Sequence, residues 1–185
     1  MGRWEPGASS RLREAAMELF VEQGYDGTTV ADIAARAGVT GRTFFRHYAD
    51  KREVLFEGSE EFAAHVVAAL ATAPADASPL RAVAAAVGAV GEVLQDPGWS
   101  ALRYRVIASH PELRERELIK MASLAHSLAA GLRERGAAGP EADLAAETGV
   151  AVFRVAFERW VEGAPGALRD LVEEAFAQLR GLAAD

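Results

Sequence analysis

Two arginines one helical turn apart, Arg42 and Arg46, are the residues of this 185-residue chain whose type and spacing point most directly to binding chemistry. On a helical wheel of about 100° per residue, both side chains point roughly 160° away from Phe44, which marks the core direction. Thr43 and Phe45 lie between the core direction and this outward face. A guanidinium pairs through two donors with guanine O6 and N7 or with a phosphate. The pattern therefore predicts a helix face that contacts a nucleic acid.

The residues around the two arginines predict a helix-turn-helix. Thr29 and Asp32 are spaced as a capping box, which opens a short helix that Gly38 ends. Thr40 caps a following helix that runs to about residue 48. Gly41, at the start of that helix, lets the backbone approach a DNA duplex closely. The second helix is therefore the one expected in the major groove.

Helical spacing continues through almost the whole chain, and no stretch of four or more residues alternates with period two. Upstream of the helix-turn-helix, apolar residues from Leu12 to Phe20 predict a first helix that Gly24 ends. Downstream, Asp50 to Glu53 is expected to open one longer helix through Val66. The fold class is therefore all-α with about nine helices: residues 9–56 are predicted as a DNA-binding domain and 57–185 as a second helical domain.

Composition limits the function classes. The chain is 50% hydrophobic and 25% charged, has no cysteine and carries a formal charge of −7. The acidic excess lies outside the helix-turn-helix, because residues 36–52 hold five basic side chains and one acidic one. No run reaches the roughly 18 apolar residues of a membrane helix, so a cytoplasmic protein without membrane contact is expected. No motif of a phosphate loop, metalloprotease or hydrolase occurs, so no enzyme activity, catalytic residue, metal or cofactor is predicted.

The segments 24–34, 37–40 and 43–51 together resemble the N-terminal domain of TetR-family transcriptional regulators over about residues 10–56. The resemblance implies a homodimeric, ligand-released repressor that binds a palindromic double-stranded operator. One departure is Phe45, where the family commonly has tyrosine; its ring can still touch a thymine methyl. Base contacts are expected from Gly41, Arg42, Thr43 and Phe45, and phosphate contacts from Thr29, Arg46, His47, Tyr48 and Lys51.

The C-terminal half is similar to a TetR subgroup that includes mycofactocin-system regulators, on residues 101–105, 110–114 and 153–160. Members of that subgroup are linked to acyl-CoA-like ligands, so an acyl-CoA-like effector is one candidate. The predicted pocket residues are Trp99, Arg103, Tyr104, Phe157 and Trp160. The apolar stripes of the last two helices predict a four-helix dimer interface. The interface residues expected are Val152, Val155, Leu171, Ala175, Phe176 and Leu179.

Other interpretations of the same residues stay open. Arg42 and Arg46 fit a merely solvated helix face, and His47 and Tyr48 fit the seam between the third and fourth helices. Trp99, Tyr104, Phe157 and Trp160 fit ordinary helix packing. For the protein as a whole, the alternative function is a helical small-molecule binding protein with weak or lost DNA binding, which Phe45 and the acidic total favour.

Overall fold

The computed structural model describes residues 7–183, and over that range the chain is helical with no β-strand. The all-α prediction and the count of about nine helices are confirmed for these residues. None of the helices in this range is long and apolar enough to cross a membrane. The helices are α1 (Ala8–Gly27), α2 (Val30–Arg36), α3 (Gly41–His47), α4 (Ser59–Ala71), α5 (Pro79–Gly88), α6 (Pro97–Ala108), α7 (Pro111–Glu134), α8 (Gly139–Val161) and α9 (Leu168–Leu182).

The chain divides into two compact units. Among the described residues, the first contains residues 7–57 together with residues 102–114, and the second contains residues 58–101 and 115–183. The first unit therefore includes a segment that the sequence division into 9–56 and 57–185 assigned to the second domain. Ile107 and Leu113 of that segment are buried.

Local side-chain bonds explain the short helices of the first unit. The Thr29 hydroxyl accepts from Asp32 N at 3.2 Å, while Thr29 N donates to Asp32 Oδ2 at 2.9 Å, which completes the predicted capping box before α2. Thr40 Oγ1 accepts from Thr43 N at 3.2 Å and caps α3. These bonds satisfy backbone donors that seven-residue helices leave without intrahelical partners. Both predicted caps are confirmed.

Two glycines with positive φ, Gly24 and Gly58, interrupt the helical backbone before α2 and before α4. Gly24 lies within α1 with φ 80° and ψ 161°, so regular helix ends where the sequence predicted. The predicted long helix through Val66 is wrong in its first turns. Instead, a 3-10 turn at Glu53–Phe56 is followed by Gly58 at φ 80°, and α4 begins only at residue 59. A positive φ ends a right-handed helix and is readily adopted by glycine alone.

The second unit has one apolar core, built around α5 and α8 with α4, α7 and α9 contributing. Val83 on α5 and Leu128 on α7 are fully buried. Gly149 on α8 faces Val83, and a Cβ placed on Gly149 would overlap Val83 Cγ1. The absence of a side chain at Gly149 therefore lets α5 and α8 approach closely.

Candidate nucleic-acid interface

Helix α3 carries opposite faces of different chemistry. Phe44 is fully buried, whereas Arg42, Phe45 and Arg46 are exposed, with Phe45 61% exposed. The Phe45 ring meets the edge of the Phe44 ring at a centroid distance of 5.5 Å, which restrains its orientation. Burying Phe44 contributes about 1.5 to 3 kcal/mol to folding. The helix is thus anchored by one ring and presents two guanidiniums and a second ring to solvent.

The first turn of α3 leaves room for close approach. Gly41 is half-buried, and a Cβ added there would meet no atom within 4 Å. The fold itself therefore does not require glycine at this position. Thr43 is also half-buried, with its hydroxyl 3.1 Å from that of Thr40. The space at Gly41 supports the expectation that the backbone comes near a duplex.

The candidate phosphate contacts before and after α3 differ in availability. Thr29 is exposed, but its hydroxyl donates to Asp32 Oδ2 at 2.6 Å, and these bonds from Thr29 lower the pKa of Asp32. His47 is exposed, and its Nε2 lies 3.5 Å from Arg46 Nη2. His47 therefore does not fill the seam between helices. The role of each in phosphate binding stays a prediction.

Tyr48 is buried, and its hydroxyl contacts the start of α1. Only 6% of its surface is exposed, and its hydroxyl lies 2.8 Å from Ser9 Oγ, which itself donates to Glu57. Burial raises the pKa of the Tyr48 hydroxyl to about 12. The hydroxyl is thus held inside the unit, and a phosphate contact from Tyr48 would have to share it with Ser9.

Lys51 is held by backbone carbonyls. Its Nζ donates to the carbonyl oxygens of Tyr25 at 2.7 Å and Thr28 at 2.9 Å, and it lies 4.2 Å from the centroid of the Tyr25 ring. A lysine ammonium has three donors, so these two bonds leave a third N–H for an anion. The 3-10 turn that follows begins at Glu53, and Asp50 Oδ1 accepts from Arg52 N at 2.8 Å.

The positive charge of residues 36–52 is partly neutralised. Arg36 pairs with Glu18 at 3.0 Å and Glu22 at 2.8 Å, and Arg52 pairs with Asp50 at 2.5 Å. The hydrogen bond from Arg52 lowers the pKa of Asp50, which keeps that carboxylate ionised. The positive field of the candidate interface therefore depends mainly on Arg42, Arg46 and Lys51.

The five predicted pocket residues divide between the units. Arg103 and Tyr104 belong to the first unit, where Arg103 Nε donates to Leu55 O at 2.6 Å. Trp99, Phe157 and Trp160 belong to the second, with the rings of the last two 6.0 Å apart. Trp99 is half-buried and Trp160 is buried. Their membership of a ligand pocket stays a prediction.

The predicted dimer residues are mostly core residues of the second unit. Val152, Leu171, Ala175 and Phe176 are buried within the unit itself and leave little surface for a partner. Leu179 is half-buried, and Val155 is 48% exposed. The sequence pattern could not separate these cases, because one amphipathic stripe serves both a core and an interface.

The geometry defines a class of protein: a helix-turn-helix unit with a cationic second helix, joined to a larger helical unit. Two family models match the sequence. The model for bacterial regulatory proteins of the tetR family matches residues 12–57, and the model for the MftR C-terminal domain matches residues 77–183. The second match covers more than half of the chain. The chain therefore belongs to the TetR family, within the group that shares the MftR C-terminal domain.

Individual relatives agree with this assignment. The chain is 44% identical over 80 residues to the transcriptional regulator TcmR of Streptomyces glaucescens. The aligned residues make up 43% of this chain and 35% of TcmR. The match thus spans about a third of that relative. Among solved structures, Thermus thermophilus FadR in complex with lauroyl-CoA has a TM-score of 0.57 and 23% identity, covering 92% of each chain. A regulator from Aquifex aeolicus has a TM-score of 0.55 and 18% identity, covering 95% and 99%. Both structural likenesses concern the fold.

Proposed function

We propose that the protein is a DNA-binding transcriptional regulator, a homodimeric repressor released from its operator by a small molecule. The observation that carries the proposal is the outward face of α3, where Arg42, Phe45 and Arg46 are exposed while Phe44 anchors the helix. The proposal assigns the chain no catalytic activity and places it in the cytoplasm, where its DNA partner lies.

Each exposed group of α3 has a matching group on B-DNA. Arg42 would pair with guanine, and the Phe45 ring suits the apolar methyl of thymine. Arg46, with Lys51, supplies positive charge for phosphates, which fix position without reading sequence. Phe45 lacks the hydroxyl that is common in the family, so its contribution is apolar and confined to base edges.

The dimer is proposed to form through the face of α8 that its own unit leaves uncovered. Leu144, Ala151 and Val155 are exposed and lie within about 40° of one another on the helical wheel. Leu144 is 70% exposed, and together with Ala151 and Val155 it makes a contiguous apolar patch of the kind that marks interaction sites. A two-fold homodimer of this kind would bind two operator half-sites, which lie about 34 to 36 Å apart for dimeric helix-turn-helix proteins.

Leu144→Asp is therefore expected to dissociate the dimer at least about 100-fold more readily, because it places two carboxylates opposite each other in an apolar interface. Sedimentation velocity over a concentration series measures the change. Leu118→Asp, at an exposed leucine on α7, is the matched control and should leave the dimer intact. If the Leu144→Asp protein stays dimeric at the concentrations at which the wild-type protein is dimeric, this face is not the dimer interface.

The effector class proposed is an acyl-CoA. Phe62, Phe153, Phe157 and Trp160 form a chain of ring contacts in the second unit, with centroid distances of 5.8, 5.7 and 6.0 Å. Phe62 and Phe157 are only half-buried, so the chain combines packed and accessible rings. Such apolar surface suits an acyl tail, and the FadR likeness, solved with lauroyl-CoA, supports the same class. A coupling of about 1 to 3 kcal/mol would change operator affinity roughly 5- to 150-fold.

The salt dependence of binding tests the proposal directly. Two cations per protomer, Arg46 and Lys51, give four phosphate contacts in a dimer, and hence a slope of about −3.6 in log K against log salt. Affinity should fall about 150-fold between 50 and 200 mM salt. The measurement is fluorescence anisotropy on a duplex that the wild-type protein enriches from a random library, with lauroyl-CoA and free CoA added in separate arms.

Each arm has a decisive outcome. Release of the duplex by lauroyl-CoA but not by free CoA would support the effector class, and equal release by both would contradict it. If no sequence is enriched and the salt slope is flat, the chain is the small-molecule binding protein that the sequence left open as the alternative.

A further inference from the structure

We infer that His110, far outside the helix-turn-helix in sequence, is a positioning residue for DNA binding, acting through Tyr25 on Lys51. The inference rests on the proposed function, because Lys51 is one of its phosphate contacts. All three residues belong to the first unit, which residues 102–114 complete.

The first link joins His110 to the Tyr25 ring. The two ring centroids lie 4.9 Å apart, and His110 Nε2 is 3.5 Å from Asp26 Oδ2. On the other side of the imidazole, Nδ1 lies 2.9 Å from Ser109 Oγ and 3.3 Å from the carbonyl oxygen of Val106. Contacts at both nitrogens fix the plane of the imidazole. His110 therefore packs against Tyr25 as a ring of defined orientation.

The second link joins Tyr25 to Lys51. Tyr25 is buried, and its ring lies 5.2 Å from the Phe20 ring and 4.2 Å from Lys51 Nζ. The same ammonium donates to the Tyr25 and Thr28 carbonyl oxygens. A cation over a ring and bonded to the backbone of the same residue moves with that residue. Tyr25 therefore supplies two of the contacts described here that position Lys51 Nζ, and Thr28 supplies another.

The third link extends to the start of α2. Thr28 N donates to Tyr25 O at 3.3 Å, and the Thr28 hydroxyl donates to Gly24 O at 2.8 Å. This turn directly precedes Thr29, the N-cap of α2 and another candidate phosphate contact. Displacing Tyr25 would therefore disturb two phosphate contacts while leaving the outward face of α3 unchanged.

The test compares salt slopes of variants on the enriched duplex. His110→Ala removes the ring that holds Tyr25, so the Lys51 contact is lost in both protomers and the slope becomes about −1.8. The loss of affinity between 50 and 200 mM salt then falls from about 150-fold to about 12-fold. His110→Phe keeps a ring against Tyr25 and should restore the wild-type slope. His126→Ala, at an exposed histidine on α7, is the matched control.

A double substitution separates positioning from general destabilisation. Lys51→Met should lower the slope as His110→Ala does, and adding His110→Ala to it should change the slope little further, because both act on one contact. A merely structural role would lower the melting temperature or the active fraction and leave the slope of the bound fraction unchanged. An unchanged slope in His110→Ala overturns the inference. If that variant does not fold, His110→Gln is used in its place.

A readout without DNA keeps this inference distinct from the proposed function. Burial raises the pKa of the Tyr25 hydroxyl to about 12. Removing the His110 ring opens Tyr25 to water, so one tyrosine of His110→Ala should titrate nearer to 10 when absorbance at 295 nm is followed. If the wild type binds no DNA, the proposed function fails, and this titration still decides whether His110 holds Tyr25. An unchanged titration overturns the link.

Discussion

Gly149→Ala is expected to lower the free energy of unfolding by about 3 kcal/mol, at the upper end of the usual cost of overpacking a core. The new methyl would overlap Val83 Cγ1, and it would also lie 3.5 Å from Val83 Cβ. Val83 is fully buried and β-branched, so its side chain has little freedom to turn away. Helices α5 and α8 must therefore separate, although both belong to the core of the second unit. Against a typical total stability of about 5 to 15 kcal/mol, this loss is large.

Chemical denaturation monitored by circular dichroism measures the effect, and two variants serve as controls. Gly88→Ala places a methyl where no atom lies within 4 Å and φ is −64°, so it should be neutral or stabilising by about 0.4 to 1 kcal/mol. Val83→Ala removes the clashing methyl, so the double variant with Gly149→Ala should lose less stability than the two single losses combined. A Gly149→Ala protein that unfolds at the wild-type denaturant concentration would show that the two helices are not closely packed.

Arg42→Ala is expected to weaken operator binding by about 2 to 6 kcal/mol in the dimer, since each bidentate arginine–guanine pair contributes about 1 to 3 kcal/mol. That corresponds to roughly 30-fold to more than 10,000-fold in the dissociation constant. The side chain is exposed on α3, so its removal should leave the melting temperature nearly unchanged. Anisotropy on the enriched duplex and on a scrambled duplex measures the loss.

Arg42→Lys refines this prediction. Lysine keeps the charge but not the planar pair of donors, so it should lose sequence preference more than salt dependence. Arg81→Ala, at an exposed arginine of α5, is the control and should bind as the wild type does. Wild-type affinity and preference in Arg42→Ala would contradict the assignment of α3 as the helix that contacts bases.

Helices whose ends depend on local bonds were predictable from the sequence. The caps Thr29 and Thr40 act on backbone groups three residues away, so spacing alone identifies them. The break at Gly58 was missed because apolar spacing continues across it from Val54 to Val66. Glycine adopts many conformations, so its sequence position does not reveal that φ is positive there.

The candidate interface was predictable to the level of helix faces. The wheel of α3 correctly separated Phe44 from Arg42 and Arg46, because a period of 3.6 residues needs no tertiary information. The partners of Arg36 and Lys51 were not predictable, since they lie on other elements. The same holds for His110, whose contacts with Tyr25 and Asp26 span more than 80 residues.

The composition of the first unit has a consequence for folding during synthesis. Residues 7–57 are made before residues 102–114 of the same unit, which follow 45 or more residues later. At about 5 to 20 residues per second, that delay is roughly 2 to 9 s. During it, the helix-turn-helix is present on the ribosome without the contacts that cover Tyr25. The nascent chain therefore acquires its complete DNA-binding unit only after residue 114 has been translated.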